Sequence, residues 1–548
     1  MLIKFAPPKS AFRLVGIRLL VAGLLCLTLT GSGVFAATDK EKTRSRAQQA
    51  LRAGDFERAE QLYRELLAKN DKDSDARLGL SHALLKQRRL QDSFDHAARV
   101  LAVDPLSPRA HSLLGATVLA SGDFRLSVEE FRTALSLKDD EAMAIAGLAM
   151  VDYYENRTAR CLAGLRRAAF IDPSEPDYIF NLGQAAARLE RYKEAADAYE
   201  RFLVIAPRTD ADRRARIRGL IDFLRYLGQQ GTLHSMSGPD RTVLQFSSPD
   251  NRPILNLRVN GSKEYLRFVL DTGSGMSVIS DVTARKLGIK PVAQGGLARA
   301  VGGGGRFEIV YGYINSIELG EMKISNVPVY IRHFFDEHNP VDGYLGIGML
   351  SRLMISVDYG TKTLTMMRQR SPEMDVGAFS TGQGKPVNAE AVLPRPGVDV
   401  PVRTTSSGFL SGEVYIEGIA RPLNFIIDTG ATISVISERA AALEEAQGFL
   451  RPSRMKVFGA AGIADDVKTA ILPKVMMGTY GLEKIDAAVL DLEPVNETAG
   501  FQQSGILGGN FLRHFRIMFD FPRGIVRLQP LSAIPIQSTA PQPEGTRE

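Results

Sequence analysis

The alternation of apolar and polar positions changes character near residue 240. Before it, apolar residues recur at helical spacing. After it, glycine becomes frequent and short β-type runs take over. The helical half repeats with a period of 34. One column, mostly aromatic or apolar, reads Phe56, Leu90, Phe124, Thr158 and Tyr192. Columns of small residues read Ala59, Ser93, Ser127, Cys161, Ala195 and Ser81, Gly115, Ala149, Gly183. Pro105, Asp139, Pro173 and Pro207 punctuate the series at the same step. A period of this length marks stacked helix–turn–helix units, each burying its apolar face against its neighbours. Small residues recur where paired helices approach closely, and prolines recur just past a helix they cannot continue. The pattern predicts a helical array over 40–228 and a Gly-, Ser- and Pro-containing linker over 229–242. Arg208 to Gln230 is expected to cap the stack. Cys161 falls in a packing column and reads as a small core residue rather than a nucleophile.

The second half is duplicated. Tyr265-Leu-Arg-Phe-Val-Leu-Asp-Thr-Gly-Ser-Gly-Met-Ser-Val-Ile-Ser280 matches Pro422-Leu-Asn-Phe-Ile-Ile-Asp-Thr-Gly-Ala-Thr-Ile-Ser-Val-Ile-Ser437. Each copy is an apolar strand that runs into Asp-Thr-Gly, followed by Ser-Val-Ile-Ser at the same offset. Upstream, Gly261 and Gly418 end matching hairpins. Downstream, Asp342-Gly-Tyr-Leu-Gly346 pairs with Ser504-Gly-Ile-Leu-Gly508, and Ile355-Ser-Val-Asp358 with Ile517-Met-Phe-Asp520. A lone Asp-Thr-Gly is a common turn with a capping aspartate. Two copies with matched strands and matched downstream glycines are far more specific.

The 34-residue columns resemble the tetratricopeptide repeat, most closely at Gly54-Asp-Phe-Glu-Arg-Ala59 and Glu190-Arg-Tyr-Lys-Glu-Ala195; the unit around Thr158 departs from it by lacking the aromatic residue. That resemblance implies a concave groove for a peptide or partner protein. The duplicated half resembles the retropepsin-like aspartic peptidases, which bring an apolar strand, an Asp-Thr-Gly loop and a later apolar-apolar-Gly strand end together. Gly505-Ile-Leu-Gly-Gly-Asn-Phe-Leu-Arg-His-Phe515 looks like the C-terminal signature of bacterial members. The expected fold is therefore multidomain: an all-α tetratricopeptide solenoid followed by two all-β retropepsin-like lobes forming one bilobal unit. The lobes are expected over 243–368 and 400–530, with a linker over 369–399 and a disordered tail over 531–548.

Amide hydrolysis needs an activated water and a proton for the leaving nitrogen. Two facing carboxylates that share one proton supply both, because like charges so close do not both ionise easily. Asp271 and Asp428 are the candidate catalytic pair; which of them holds the proton is not legible in the sequence. The resemblance implies that Thr272 and Thr429 bond across the lobe junction. Gly273 and Gly430 would leave room for the backbone beside the carboxylates. Ser274 is placed to donate to Asp271, whereas Ala431 has no such donor for Asp428. Tyr344-Leu345-Gly346 and Ile506-Leu507-Gly508 are expected beneath the loops as structural elements. The family's lobes carry a glycine-rich flap over the substrate. Val301, Gly302, Gly303 and Gly304 in one lobe, and Phe458, Gly459 and Ala460 in the other, hold that place. A plain flexible hairpin is the simpler alternative.

Composition narrows the remaining choices. The formal net charge is +6, but Lys4, Lys9, Arg13 and Arg18 contribute four of those charges, so the rest of the chain is too nearly neutral to argue for nucleic acid. The same four residues precede an apolar run, Leu19 to Leu29, and a Val-x-Ala pattern ending at Ala36. This reads as a signal peptide over 1–36 and export to the periplasm or beyond, with an uncleaved membrane anchor as the alternative. Cysteine occurs only as Cys26 and Cys161, which leaves no cysteine metal cluster. His333 and His338 read as surface residues, and neither a metal nor a cofactor is expected. The reading is an aspartic endopeptidase with a polypeptide in the interlobe cleft and a recruiting helical domain. The alternative is a non-catalytic scaffold whose lobes only bind peptide.

Overall fold

The computed structural model describes residues 39–207, 211–299, 301–302, 306–336, 339–368, 397–459 and 462–531. The proposed signal peptide, most of the interlobe linker and nearly all of the tail lie outside them.

Eleven helices open the described chain: α1 (Asp39–Ala53), α2 (Phe56–Lys69), α3 (Ser74–Lys86), α4 (Leu90–Leu101), α5 (Pro108–Ser121), α6 (Phe124–Leu137), α7 (Ala142–Tyr154), α8 (Thr158–Ile171), α9 (Pro176–Arg188), α10 (Tyr192–Ile205) and α11 (Ala211–Leu227). Side chains of Asp55, Asp73, Ser107 and Asp123 accept from backbone N–H groups of the first turns and so fix where helices start. The small-residue column has a steric cause. A Cβ on Gly115 would lie 2.8 Å from the ring of Phe131, which is fully buried. Gly183 stands in the same relation to Tyr199. Cys161 is fully buried in this core, and burial pushes its thiol up to about 12.

The turn inside each helix pair uses one backbone position with positive φ: Gly54, Arg88, Gly122, Asn156 and Glu190, again 34 apart. Four of these five turns touch the β-rich half. Arg88 lies 3.6 Å from Glu493. Asn424 donates to the Gly122 carbonyl (3.4 Å). Asn156 donates to the Phe521 carbonyl and accepts from Thr404, both at 2.9 Å. Glu190 pairs with Arg352. One edge of the solenoid is thus a docking edge for the rest of the chain. Between these turns Phe501, fully buried, sits edge-on to Phe124 (4.9 Å) and Tyr154 (5.1 Å) and belongs to the helical core.

The two lobes repeat each other in pairing as well as in sequence. Leu266–Leu270 runs parallel to Gly343–Leu345, and Leu423–Ile427 runs parallel to Gly505–Leu507. Ser277–Ser280 and Ser434–Ser437 lie antiparallel on the far side of those short strands. Between the lobes, Leu353–Asp358 pairs antiparallel with Phe515–Asp520. Ile355 faces Phe519 while Val357 faces Ile517, so equivalent residues exchange places, as an internal two-fold requires. Arg241–Gln245 and Thr363–Arg368 extend this sheet on one side, and Ile525–Pro530 and Val398–Thr404 on the other. The expected linkers are shorter than read from the sequence. Ser235–Ser237 pairs with Lys323–Ser325, and the strands at Arg241 and Val398 begin before the expected lobe starts. Gly and Pro punctuate these stretches without preventing edge-strand pairing.

Phe501 provides a test of the docking. Phe501→Ala removes a buried ring shared by two domains and is expected to cost about 3–5 kcal/mol. Calorimetry should then separate one unfolding transition into two.

Candidate active site

Each Asp-Thr-Gly loop hangs from an apolar strand with little freedom of register: both strands are buried at every position but the second, Arg267 in one and Asn424 in the other. The Asp271 N–H donates to the Leu345 carbonyl and the Asp428 N–H to the Leu507 carbonyl, each at 3.0 Å. Tyr344-Leu345-Gly346 and Ile506-Leu507-Gly508 therefore support the loops from beneath. Ser277 and Ser434 of the Ser-Val-Ile-Ser pairs accept from the N–H groups of Gly346 (3.0 Å) and Gly508 (3.1 Å). Ser280 and Ser437 cap the short helices that follow. These serine roles were not read from the sequence, although their verbatim repetition was the available signal.

The loops meet at the junction of the lobes. Thr272 Oγ1 donates to the Ile427 carbonyl (2.7 Å) and accepts from the Thr429 N–H (3.0 Å). Thr429 Oγ1 donates to the Leu270 carbonyl (2.6 Å) and accepts from the Thr272 N–H (3.2 Å). Both threonines are buried, so this four-bond exchange satisfies groups that have no water. A Cβ on Gly273 would lie 2.3 Å from Asp428 Cγ, and one on Gly430 would lie 2.7 Å from Asp271 Cγ. Each carboxyl group thus rests over the other loop's glycine, where no side chain fits. The two carboxyl groups are thereby brought face to face.

The surroundings of the pair are unequal. Asp271 Oδ1 accepts from the Gly273 N–H (2.9 Å). Asp428 Oδ1 accepts from Gly430 (2.7 Å) and from Ala431 (3.1 Å). Burial and the neighbouring Asp428 push Asp271 well above the usual carboxylate range. Burial also raises Asp428, but its hydrogen bonds to Asp271 and to backbone N–H groups oppose that rise. Burial therefore raises both carboxyl groups, and the two titrate as one unit.

Ser274 departs from expectation: its hydroxyl donates to the Met276 carbonyl (2.7 Å), the acceptor nearest in the turn, and not to Asp271. Arg252 was missed. It is buried, 3.4 Å from Asp250 and 3.2 Å from Asp336, and its charge partly counters the rise at Asp271.

Two hairpins hold the flap positions. One is built from Ala293–Arg299 and Arg306–Leu319, the other from Leu450–Gly459 and Gly462–Met477. Gly302 has φ +78°, and a Cβ there would lie 2.8 Å from Gly459 Cα, so the two hairpins touch. Val301 crosses from lobe 1 to pack against the lobe 2 cluster of Val435, Val457 and Ile506. Phe458 is partly exposed beside it. Gly303, Gly304 and Ala460 lie outside the described residues, as does His338. His333 is exposed, 3.5 Å from Asp281.

Comparison with known proteins follows the same division. An aspartyl protease family model matches residues 255–348, and a gag-polyprotein aspartyl protease model matches 413–514. Tetratricopeptide repeat models match 50–116 and 176–209. The chain thus carries tetratricopeptide repeats and two aspartyl protease domains in tandem. BBSome complex member BBS4 of Bos taurus is 19% identical over 145 residues, which span 26% of this chain and 28% of that relative. Among solved structures, a thermophilic tetratricopeptide-repeat protein of Thermus thermophilus is 18% identical, with a TM-score of 0.29, over 33% of this chain and 98% of that one. The aspartic proteinase of Irpex lacteus is 13% identical, with a TM-score of 0.35, over 54% of this chain and 98% of that one.

The unequal pair predicts a pH signature. A carboxyl whose pKa rises on folding holds its proton more tightly in the folded chain. Its contribution to stability is full below the ordinary value of 3.8 and is lost as pH rises through the folded value. Asp271→Asn should therefore melt close to wild type near pH 4 and a few degrees above it by pH 8. Melting curves across that range check the divergence.

Proposed function

We propose that this protein is an aspartic endopeptidase that hydrolyses polypeptide amide bonds with the Asp271/Asp428 pair. The observation that carries the reading is the reciprocal threonine exchange, which holds two partly buried carboxyl groups against each other. The ionised member of the pair accepts a proton from the attacking water. The protonated member donates a hydrogen bond to the scissile carbonyl oxygen, stabilising the negative charge that develops there. Collapse of the tetrahedral intermediate breaks the C–N bond, and the leaving nitrogen takes the proton that the first carboxyl gained from water. The carboxylic acid and the free amine are the products, and the pair returns to its singly protonated state.

The substrate in this reading is an extended polypeptide lying between the loops and the two flap hairpins. Its backbone pairs with hairpin strands, while side chains meet the apolar surface around Val301, Val457 and Ile506. The helical domain recruits a protein partner or the substrate itself. Its interior is already bridged: Lys86 reaches Glu175 (2.9 Å) and Asp177 (2.7 Å) from three repeats away, so a ligand of the concave face has to compete with those ion pairs. Export across the inner membrane is part of the same reading and rests on the N-terminal sequence pattern.

The test is peptide-library cleavage by the residue 37–548 protein from about pH 3 to pH 8, the range over which a carboxyl pair titrates. Asp271→Asn and Asp428→Asn should each lower kcat by at least about a thousandfold while staying folded. Cleavage that survives both changes would remove the assignment. A wild type that binds peptides and cleaves none would favour a non-catalytic scaffold.

A further inference from the structure

The last solenoid helix, α11, has two apolar faces. Ile217, Ile221 and Leu224 lie in the helical core. Phe223 and Leu227, with Tyr226 beside them, lie in a separate cluster with Val292, Ala293, Ile309, Tyr311 and Tyr313 of the lobe 1 flap hairpin. Met276, five residues beyond Asp271, packs on this cluster too. Phe223 stacks on Tyr311 with ring centres 4.4 Å apart, and Tyr226 meets Tyr313 edge-on at 5.6 Å.

The closest approach is backbone against backbone. A Cβ on Gly219 would lie 2.0 Å from the Gln294 carbonyl oxygen and 2.4 Å from Gly295 Cα. A Cβ on Gly296, which has φ +68°, would lie 3.1 Å from Ala215 Cβ. The strand shifts register between Gln294 and Leu297, and that irregularity is the place where the helix seats. Arg216 donates to the Leu297 carbonyl at 3.3 Å. At the end of the same strand Arg299 reaches lobe 2, 2.9 Å from Glu497. The matching arm of lobe 2 presents Arg451 to Arg454 to solvent.

We propose that α11 is a positioning element for the lobe 1 flap: the Gly219 contact and the Phe223–Tyr311 stack set the height at which this hairpin meets a bound polypeptide. The helical domain is then part of the substrate-holding machinery as well as a recruiting device. The inference rests on the endopeptidase reading for its catalytic consequence, but the mechanical link is measurable without catalysis.

The test uses the full chain with Gly219→Ala, and Asn156→Ala as a control where the solenoid turns meet lobe 2. Amide hydrogen exchange over 293–299 and 306–313 should rise about tenfold in Gly219→Ala, with the Asp271 and Asp428 loops unchanged. KM for a cleaved peptide should rise by a similar factor, with kcat within about twofold, because the flap binds substrate and the carboxyl pair does the chemistry. Asn156→Ala should leave exchange in the hairpin as in wild type. Hairpin exchange that does not change in folded Gly219→Ala, or that rises equally in Asn156→Ala, overturns the proposal. If Gly219→Ala does not fold, Phe223→Leu keeps an apolar side chain but loses the stack, and the same two outcomes decide. A wild type that cleaves nothing removes the endopeptidase reading alone, and the exchange comparison still decides the mechanical one.

Discussion

Four hydrogen bonds between Thr272 and Thr429 and the opposing backbones are the constraint on which the rest of the β-rich half depends. Neither loop satisfies its own buried groups; each hydroxyl needs the other lobe's carbonyl and N–H. Separating the lobes would strand four polar groups in a water-free junction, which is costly. The same exchange holds each carboxyl group over the glycine of the opposing loop. The interlobe sheet spreads the load: Leu353–Asp358 on Phe515–Asp520 joins the lobes through backbone pairing and through the buried Asp358, which Arg516 reaches at 2.6 Å.

The helical domain acts as a frame around this junction. A solenoid repeats its turns at a fixed step, so one edge offers evenly spaced contact points. Here the turns at Arg88, Gly122 and Asn156 meet lobe 2 and the turn at Glu190 meets lobe 1. Phe501 locks the first of these surfaces and α11 the second. Both lobes are thereby tied to one helical domain, in addition to being tied to each other.

Duplication produced two similar loops with different surroundings. Asp428 is held by the N–H groups of both Gly430 and Ala431, whereas Asp271 receives one from Gly273. Arg252 has no counterpart in lobe 2, where the equivalent position is Phe409. Ser434 is further fixed by Asn510, at 2.9 Å from its N–H and 2.8 Å from its hydroxyl. Burial raises both carboxyl groups, and the additional backbone donors around Asp428 oppose that rise.

Local pattern was enough for much of this. A 34-residue period specifies stacked helix pairs because each unit hides its apolar face only against the next. An apolar strand running into Asp-Thr-Gly specifies a loop at a strand end, and its repetition specifies two of them. The six residues of the two Asp-Thr-Gly triplets were therefore legible before any coordinates, and so was the glycine-rich character of the hairpins. Contacts between segments far apart in sequence were not legible. The hydroxyl of Ser274 chose the Met276 carbonyl over Asp271 because turn geometry brought that acceptor nearer. Ser235–Ser237 became a strand because Lys323–Ser325 offered an open edge. Arg252, Phe501 and Gly219 look unremarkable in sequence, and each acquires its role from a partner dozens to hundreds of residues away. Periodicity and motif report what a segment can form by itself; which acceptor, which edge and which helix face are settled by the groups that folding brings into contact.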